Sequence, residues 1–339
     1  MAEKSYTVAV VGAMGVVGTE MLATLERRNF PAGRLVPLDV ASQAGKQVNF
    51  QGKSWTVEEA KKGAFKGVDI AIFSAGATAS EQLAPTAVAE GAVVVDNSSH
   101  WRMDPDCPLV VPEVNPEDLD WHKGIIANPN CSTTQMLVAL KPLHDAAGIT
   151  RVIVSTYQAV SGSGKKAIDG LRDESEEMLA EGKVSSCRAY KQQIAFNCIP
   201  HIDVFQEHGY TKEEYKMVNE TKKMLDETIE VSATCVRIPV WYGHSESINI
   251  ETREKLTQQQ ARKILANAEG IMVIDDPDSE KYPTPVMSDN EDLTMVGRIR
   301  EDLTIANGLN LWVVSNNIRK GAALNAVQIA ETLIQRNLV

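Results

Sequence analysis

Cys131 is the residue whose type and position most directly suggest chemistry. The apolar run Ile125-Ile126-Ala127 predicts a strand before it, and an apolar stripe at helical spacing over residues 136–143 predicts a helix after it. A helix start offers unpaired N–H groups and the positive end of the helix dipole, which favour the nucleophilic thiolate. The candidate caps of this helix are Ser132, Thr133 and Thr134. The alternative is an inert core cysteine, because free cysteines are among the most buried residues.

A glycine-rich turn near the N-terminus is the second candidate site. Residues 7–11 are apolar or β-branched, and Gly12, Gly15 and Gly18 follow before an amphipathic helical pattern. A GxxGxxG turn between a strand and a helix lets the backbone approach a pyrophosphate at the helix N-terminus. Its position directly after a strand favours dinucleotide binding over a turn that is merely tight.

Asp39 stands near the end of the second predicted strand, residues 35–40. An acidic residue at this place usually binds the adenine ribose hydroxyls and disfavours a 2′-phosphate. A solvated loop aspartate is an equal alternative, because the loop at 41–46 could also reach the ribose.

The order of elements predicts an α/β fold. Strand patterns at 69–73 and 92–96 alternate with helical patterns, which is typical of a Rossmann-like, doubly wound parallel sheet. Ligands bind such sheets beyond the carboxyl ends of the strands, where Ser74 and Cys131 fall. Residues 1–131 and 318–339 are therefore expected to form a dinucleotide-binding domain.

The pattern changes after the cysteine helix. Helices are predicted near 166–180, 212–226 and 257–267, and residues 275–292 are predicted to form a loop. Strands are predicted at 151–160, 232–240, 245–252, 293–300 and 308–314. This combination favours a second α+β domain with a largely antiparallel sheet, a catalytic and dimerisation domain over residues 132–317. The last helix is predicted over 318–336 and expected to pack on the first domain.

Composition excludes several functional classes. The net charge of −11 argues against nucleic-acid binding, and the sequence contains no apolar run long enough for a membrane span. The N-terminus lacks the pattern of a secretory signal, which favours the cytoplasm. Five dispersed cysteines without a CxxC pair favour reduced thiols over disulfides or zinc, and no metal site is expected.

Four further segments together resemble a known family. They are Ala127-Asn128-Pro129-Asn130-Cys131-Ser132-Thr133, Thr156-Tyr157-Gln158-Ala159-Val160-Ser161-Gly162, Arg237-Ile238-Pro239-Val240 with Gly243-His244, and Asn317-Ile318-Arg319-Lys320-Gly321-Ala322. In order and spacing, they are similar to the signatures of the aspartate-β-semialdehyde dehydrogenases. The resemblance extends from the glycine turn to the final helix.

The resemblance implies a phosphorylating aldehyde dehydrogenase. Its family reaction is the reductive dephosphorylation of L-aspartyl-β-phosphate by a reduced nicotinamide nucleotide, which gives L-aspartate β-semialdehyde and phosphate. This reaction is the branch step toward lysine, threonine, methionine and, in bacteria, diaminopimelate. Family members are homodimers or tetramers, so we expect at least a homodimer.

Three residues acquire catalytic roles from the resemblance. Cys131 attacks the acyl phosphate and forms a thioester, and Gln158 orients the acyl group. His244 is the expected acid–base catalyst, which takes the thiol proton and returns one to the oxygen of the intermediate, since imidazole titrates near neutrality.

Further residues acquire binding roles. Arg237 is expected to pair with the substrate α-carboxylate and Glu220 with its α-ammonium, while Arg102 and Lys223 are the phosphate ligands of the family. Asn130 completes the expected substrate site. The dinucleotide is expected to contact Gly12, Met14, Gly15, Val16, Val17, Asp39, Ser42, Gln43, Ser74, Ser161, Gly162 and Asn317.

One departure from the family pattern concerns the cofactor. The resemblance implies NADP(H), and members that use it often carry an arginine in the loop after the second strand. Ser42 stands at that arginine's position, and Asp39 adds a negative charge nearby. We therefore predict weak discrimination for NADP and actual use of NAD(H).

Three alternatives to this function are weighed on the same residues. A related reductase of N-acetylglutamyl phosphate is disfavoured by Glu220, which suits a free α-amino group. A Cys-His hydrolase needs no dinucleotide and therefore no glycine turn. A catalytically silent nucleotide sensor would not need Cys131, Gln158 and His244 together.

Overall fold

The computed structural model describes residues 5–339. The chain divides into two compact units, one formed by the residues up to Asn130 together with Ala322–Val339 and the other by Cys131–Gly321. No helix among the described residues is both long enough and apolar enough to cross a membrane.

The first unit is built on a parallel sheet. Its strands are β1 (Tyr6–Val11), β2 (Ala32–Asp39), β3 (Gln47–Phe50), β4 (Lys53–Thr56), β5 (Glu58–Glu59), β6 (Ile70–Phe73), β7 (Val93–Asp96) and β8 (Ile125–Ala127). Six of them form one sheet in the order β5-β2-β1-β6-β7-β8, with every pair parallel, and β3 and β4 form a separate hairpin. The carboxyl ends of the six strands therefore share one edge.

Both faces of this sheet are covered by helices. These are α1 (Val16–Arg27), α2 (Ala77–Ala89) and α7 (Leu324–Gln335). Val8 and Val10 of β1 belong to one core cluster with the buried residues of α1 and α7, whereas Ala9 and Val11 belong to another with those of α2. Alternate side chains of a strand point to opposite faces, so a continuous apolar strand needs a cover on each side.

The second unit contains a mixed, largely antiparallel sheet. Its strands are β9 (Ile149–Gln158), β10 (Glu230–Arg237), β11 (His244–Thr252), β12 (Ile271–Val273), β13 (Thr294–Glu301) and β14 (Gly308–Ser315), and its helices are α3 (Cys131–Ala147), α4 (Lys165–Glu181), α5 (Lys212–Met224) and α6 (Gln258–Ala266). The strand order is β10-β9-β11-β14-β13-β12. The outer pairs β10/β9 and β12/β13 are parallel, and the three inner pairs are antiparallel.

Some local predictions were wrong. Helix α3 begins at Cys131 itself, so Ser132, Thr133 and Thr134 lie inside its first turn and do not precede it as caps. The last helix begins at Leu324 instead of residue 318, because Arg319–Ala323 form a wider π-helical turn. Residues 275–292 form a loop as predicted, with short 3₁₀ turns at Pro277–Ser279 and Pro285–Ser288. The hairpin β3–β4 was not predicted.

Candidate active site

Three adjacent strand ends in the second unit position the candidate polar groups. In the parallel pair β9/β10, Arg237 lies opposite Gln158, and the antiparallel pair β9/β11 brings the start of β11 to the same edge. Alternate residues of these strands are buried, and Gln158, Arg237 and His244 all fall on buried positions. The register therefore sets three polar side chains in a row, one strand spacing apart.

Cys131 and His244 are in direct contact. The Sγ atom of Cys131 lies 3.2 Å from Nε2 of His244, although 113 positions separate the two residues in the chain. Cys131 is half-buried at the start of α3, while the imidazole is fully buried. This is the arrangement in which an imidazole assists a thiolate nucleophile.

The other ring nitrogen of His244 is held by the backbone. The N–H of Ala159 donates to Nδ1 at 3.0 Å. Burial, together with the neighbouring Arg237 guanidinium, lowers the pKa of His244 to about 3, against a smaller opposing effect of the Glu213 carboxylate. These surroundings favour the neutral form of the imidazole.

Gln158 is held by a carboxylate that the sequence analysis did not identify. Its Nε2 donates to Oε1 of Glu213 at 3.2 Å and to Oγ1 of Thr156 at 3.3 Å. The other oxygen of Glu213 accepts from Nζ of Lys216 at 3.0 Å, and Lys216 also donates to Asp203 at 2.9 Å. Since an ionised carboxylate only accepts hydrogen bonds, the amide nitrogen of Gln158 must face Glu213 and its oxygen must point elsewhere.

A sequence signal for Glu213 was available in helix α5. Glu213 lies seven residues before Glu220, and residues at that spacing share a helix face. Both carboxylates are buried, on the same face as Met217 and Met224. Lys223 is half-buried on the last turn of the helix.

Arg237 is buried, and one of its N–H groups has no hydrogen-bond acceptor among the described residues. Its Nη1 donates to the carbonyl oxygen of Ala159 at 2.7 Å, and the ring of Tyr190 lies 6.0 Å from its Cζ. Its Nε is buried without a hydrogen-bond partner among the described residues. A buried, unsatisfied donor on a guanidinium is costly unless a ligand supplies the acceptor, so this group is suited to bind a carboxylate.

Asn317 and Ser161 are buried and hydrogen-bonded to each other. Asn317 donates from Nδ2 to Oγ of Ser161 at 2.9 Å, and its Oδ1 accepts from the N–H of Gly243 at 3.0 Å. Gly162 is exposed, and a Cβ at this position would lie 3.2 Å from Arg237 Nη1 and 3.5 Å from the ring of His244. The loop after β9 therefore lies directly against the site residues.

The glycine turn of the first unit is closely packed. Gly12 has a φ of +84°, and a Cβ atom added to it would lie 2.4 Å from the carbonyl oxygen of Ser74. A Cβ atom added to Gly18 would lie 2.0 Å from the carbonyl oxygen of Gly12. Gly15 is the N-cap of α1 and supplies no side chain to its N–H groups. These backbone donors and the absence of side-chain bulk fit a pyrophosphate at the helix N-terminus.

Asp39 contacts the same turn. One carboxylate oxygen accepts from the N–H of Met14 at 2.9 Å and the other from the N–H of Val40 at 2.8 Å. Ser42 is exposed and Gln43 half-buried in the short turn Ala41–Gln43 that follows β2. Asp39 thus orders the turn whose backbone is expected to hold the dinucleotide.

Arg102 is also engaged within the first unit. It is buried and donates to the carbonyl oxygens of Asn128 at 2.9 Å and Asn97 at 2.8 Å. Asn130 is buried, and Ser74 is half-buried after the end of β6.

The other cysteines differ from Cys131. Cys107 and Cys235 are buried, and Cys187 and Cys198 are exposed. Burial raises the pKa of Cys235, which keeps it a thiol. Across residues 5–339, no group of three or more His, Cys, Asp or Glu side chains is arranged to hold a metal ion.

Fold and site define a semialdehyde dehydrogenase. Residues 7–122 match the family model of the semialdehyde dehydrogenase NAD binding domain, and residues 140–320 match that of the semialdehyde dehydrogenase dimerisation domain. The chain is thus an oxidoreductase with one unit for a nicotinamide nucleotide and another that carries the Cys131–His244 pair.

Similarity to individual proteins narrows this class. The chain is 56% identical over 338 residues to aspartate-semialdehyde dehydrogenase of Aquifex aeolicus, covering 98% of this chain and 99% of the relative. It is 52% identical over 340 residues to the enzyme of Bacillus subtilis, covering 98% of each. The crystal structure of aspartate semialdehyde dehydrogenase II from Vibrio cholerae complexed with ASA has a TM-score of 0.95 at 47% identity, covering 98% of this chain and 99% of that one. The chain belongs to the aspartate-semialdehyde dehydrogenase family.

Proposed function

We propose that the protein reduces L-aspartyl-β-phosphate to L-aspartate β-semialdehyde with a nicotinamide nucleotide and releases phosphate. The observation that carries the proposal is the 3.2 Å contact between Cys131 Sγ and His244 Nε2. A thiolate stabilised by an imidazole is a strong nucleophile toward an acyl phosphate and a good leaving group from a thiohemiacetal. The reaction is the branch step toward lysine, threonine, methionine and diaminopimelate.

Cys131 carries the covalent steps. Its thiolate attacks the acyl carbon, the bond from that carbon to the phosphate oxygen breaks, and a thioester remains. The reduced nicotinamide nucleotide, when bound, supplies hydride to the thioester carbon. The resulting alkoxide expels the Cys131 thiolate as the carbon–sulfur bond breaks, and the aldehyde leaves. His244 is the acid–base candidate for these steps.

Recognition of the amino-acid part is assigned to the second unit. Arg237 binds the α-carboxylate, because its guanidinium retains a buried, unsatisfied donor. Glu220 receives the α-ammonium, and Gln158 orients the acyl group through its amide oxygen, since its amide nitrogen donates to Glu213. A buried carboxylate for the amino group argues against the N-acetylated substrate of the related reductase.

The phosphate ligands are assigned by family resemblance. Lys223 stands one turn after Glu220 on the same helix face and offers a compact ammonium charge on a long side chain. Arg102 and Asn130 are the corresponding candidates in the first unit.

The glycine turn and the loops near it are assigned to the dinucleotide. Gly12, Met14, Gly15, Val16 and Val17 would hold the pyrophosphate, and the tight packing of Gly12 against Ser74 supports this fit. Further contacts are assigned to Asp39, Ser42, Gln43, Ser161, Gly162 and Asn317. NADP(H) is the cofactor by resemblance, and Asp39 with Ser42 supports the use of NAD(H) as well.

The assembly is proposed from the same resemblance, and the location is the one expected in the sequence analysis. We expect a homodimer or tetramer formed through the unit that matches the dimerisation-domain model, and we expect the enzyme in the cytoplasm.

The deciding experiment runs the reaction in reverse. The protein is mixed with L-aspartate semialdehyde, phosphate and either NADP or NAD, and the reduced nicotinamide is followed by its absorbance. We expect a phosphate-dependent signal that falls by about three orders of magnitude or more in Cys131→Ala. Cys235→Ala is the matched control, a buried thiol outside the proposed chemistry. No phosphate-dependent signal from the wild type with either cofactor would overturn the proposal.

A further inference from the structure

Residues 183–199, here called the 183–199 segment, run from the end of helix α4 to the end of strand β10. The segment contains no helix or strand. At its far end, the N–H of Ile199 donates to the carbonyl oxygen of Arg237 at 2.9 Å, and the N–H of Arg237 donates back to Ile199 at 2.8 Å. Because the segment has no regular structure of its own, most of its backbone N–H groups need partners from elsewhere in the chain.

Glu174 on α4 supplies acceptors for the middle of the segment. Its carboxylate is fully buried. One oxygen accepts from the N–H of Arg188 at 3.0 Å, and the other accepts from the N–H groups of Ile194 at 2.8 Å and Ala195 at 3.3 Å. Gly170 lies one turn earlier on the same helix face, and a Cβ atom added to it would lie 3.1 Å from Cβ of Arg188. A carboxylate and a missing side chain on one face of α4 therefore determine the path of the segment.

This path places Tyr190 against Arg237. The Cζ atom of Arg237 lies 6.0 Å from the centroid of the Tyr190 ring, and the Tyr190 hydroxyl donates to Oγ of Ser163 at 3.1 Å. Tyr190 is half-buried and Arg237 is buried. A guanidinium is attracted to the face of an aromatic ring, and the attraction is stronger when water is excluded. The ring therefore restricts the orientations that the guanidinium can take.

We propose that Tyr190 is a positioning residue for the substrate α-carboxylate and acts through Arg237. The inference rests on the proposed function for the identity of that carboxylate. Nη1 of Arg237 is held by the carbonyl oxygen of Ala159, and Nε is buried without an acceptor among the described residues. With Nη1 held and the ring of Tyr190 beside Cζ, the Nε–H points in one direction before the substrate binds. A donor fixed in advance loses less conformational entropy on binding, which favours affinity for the carboxylate.

Steady-state kinetics of the reverse reaction with the full-length protein test the inference. Tyr190→Phe keeps the ring and removes the hydroxyl, whereas Tyr190→Leu keeps apolar bulk and removes the ring. We expect the KM for L-aspartate semialdehyde to rise about fivefold or more in Tyr190→Leu and to stay within about twofold of the wild type in Tyr190→Phe. The kcat and the KM for phosphate should stay within about twofold in both variants. Tyr210→Leu is the matched control, because Tyr210 is also half-buried but contacts the ring of Tyr215.

Glu174→Gln is a second variant, which leaves Tyr190 in place. Its amide nitrogen cannot accept a hydrogen bond, so the segment loses part of its attachment to α4. We expect the same rise in the KM for the semialdehyde with the same kcat and KM for phosphate. This variant also decides the question if Tyr190→Leu does not fold.

Several outcomes would overturn the inference. They are a KM for the semialdehyde that rises less than fivefold in Tyr190→Leu, an equal rise in Tyr190→Phe, and a loss confined to kcat. An unchanged KM in Glu174→Gln would overturn the role of the segment. The absence of a phosphate-dependent signal from the wild type would instead contradict the proposed function, so the two failures are distinguishable.

Discussion

Arg237 donates a hydrogen bond from Nη1 to the carbonyl oxygen of Ala159 at 2.7 Å. The N–H of Ala159 donates to His244, and Ala159 directly follows Gln158 in the chain. The backbone of one small residue therefore connects three side chains with proposed roles in the reaction. A displacement of this backbone would move all three, so their mutational effects should be coupled.

Arg237→Lys should weaken binding of the semialdehyde. Lysine keeps the charge but loses the planar fork that can hold a carboxylate with two parallel hydrogen bonds. We expect the KM for L-aspartate semialdehyde to rise about 10- to 100-fold, equivalent to the loss of one charge-assisted hydrogen bond. Steady-state kinetics in the reverse direction measure it, with the exposed Arg253→Lys as control. An unchanged KM would exclude Arg237 as the carboxylate ligand.

Glu213→Gln should reduce kcat through Gln158. Without the acceptor-only carboxylate, the Gln158 amide can rotate and present its nitrogen where its oxygen now points. We expect kcat/KM to fall about 10-fold or more, the equivalent of one buried hydrogen bond to a charged group. The exposed Glu227→Gln is the matched control.

The role of Glu213 as a positioning residue is tested by a double-mutant cycle. If Glu213 acts through Gln158, Glu213→Gln should cost little further activity in a Gln158→Ala background. Equal losses in the two backgrounds would show that Glu213 contributes independently, for example to the fold of α5.

Glu246→Gln should stabilise the protein, and increasingly so at higher pH. Glu246 is fully buried, and burial raises its pKa well above the ordinary value near 4.5, against a smaller opposing effect of the Gln135 side chain. The folded state therefore holds a proton that the unfolded state has released. This contribution to stability is fully present below about pH 4.3, the unfolded pKa, and is lost as the pH rises through the folded pKa.

Urea unfolding between pH 5 and pH 8 measures this effect at fixed protein concentration. In that range, the free energy of unfolding of the wild type should fall relative to that of Glu246→Gln by up to about 1.4 kcal/mol per pH unit, because the amide of the variant does not titrate. The exposed Glu254→Gln should follow the wild type. A constant difference between wild type and Glu246→Gln at every pH would contradict a protonated Glu246.

Cofactor preference should be weak in the wild type. Ser42 cannot pair with a 2′-phosphate as an arginine would, and Asp39 is a negative charge adjacent to the turn. We expect kcat/KM for NADP and NAD to differ by less than 100-fold, about 2.7 kcal/mol, and Ser42→Arg to raise the preference for NADP. Steady-state kinetics with both nucleotides decide it, with Ser42→Ala as control. A preference for NADP of 100-fold or more in the wild type would contradict the prediction.

Local patterns in the sequence were sufficient to predict the two kinds of sheet and the family. The continuous apolar strands of the first unit indicate burial on both faces of the sheet, and the alternating strands of the second unit indicate burial on one face. Both kinds of sheet were confirmed. Element boundaries were less accurate. The start of α3 and the π-helical turn before α7 depend on how the ends of these elements pack, which the residue pattern does not encode.

The sequence predicted which residue types take part in the chemistry. It did not predict the directions of their hydrogen bonds. Cys131, Gln158, Arg237 and His244 were predicted as site residues from motifs. The hydrogen bond from the Ala159 N–H to His244, the carboxylate of Glu213 beside Gln158 and the burial of Glu246 are determined only when the strands are in register. The physical reason is that a hydrogen bond and a desolvation cost depend on distance, direction and burial, and only the tertiary structure determines these for residues far apart in the chain.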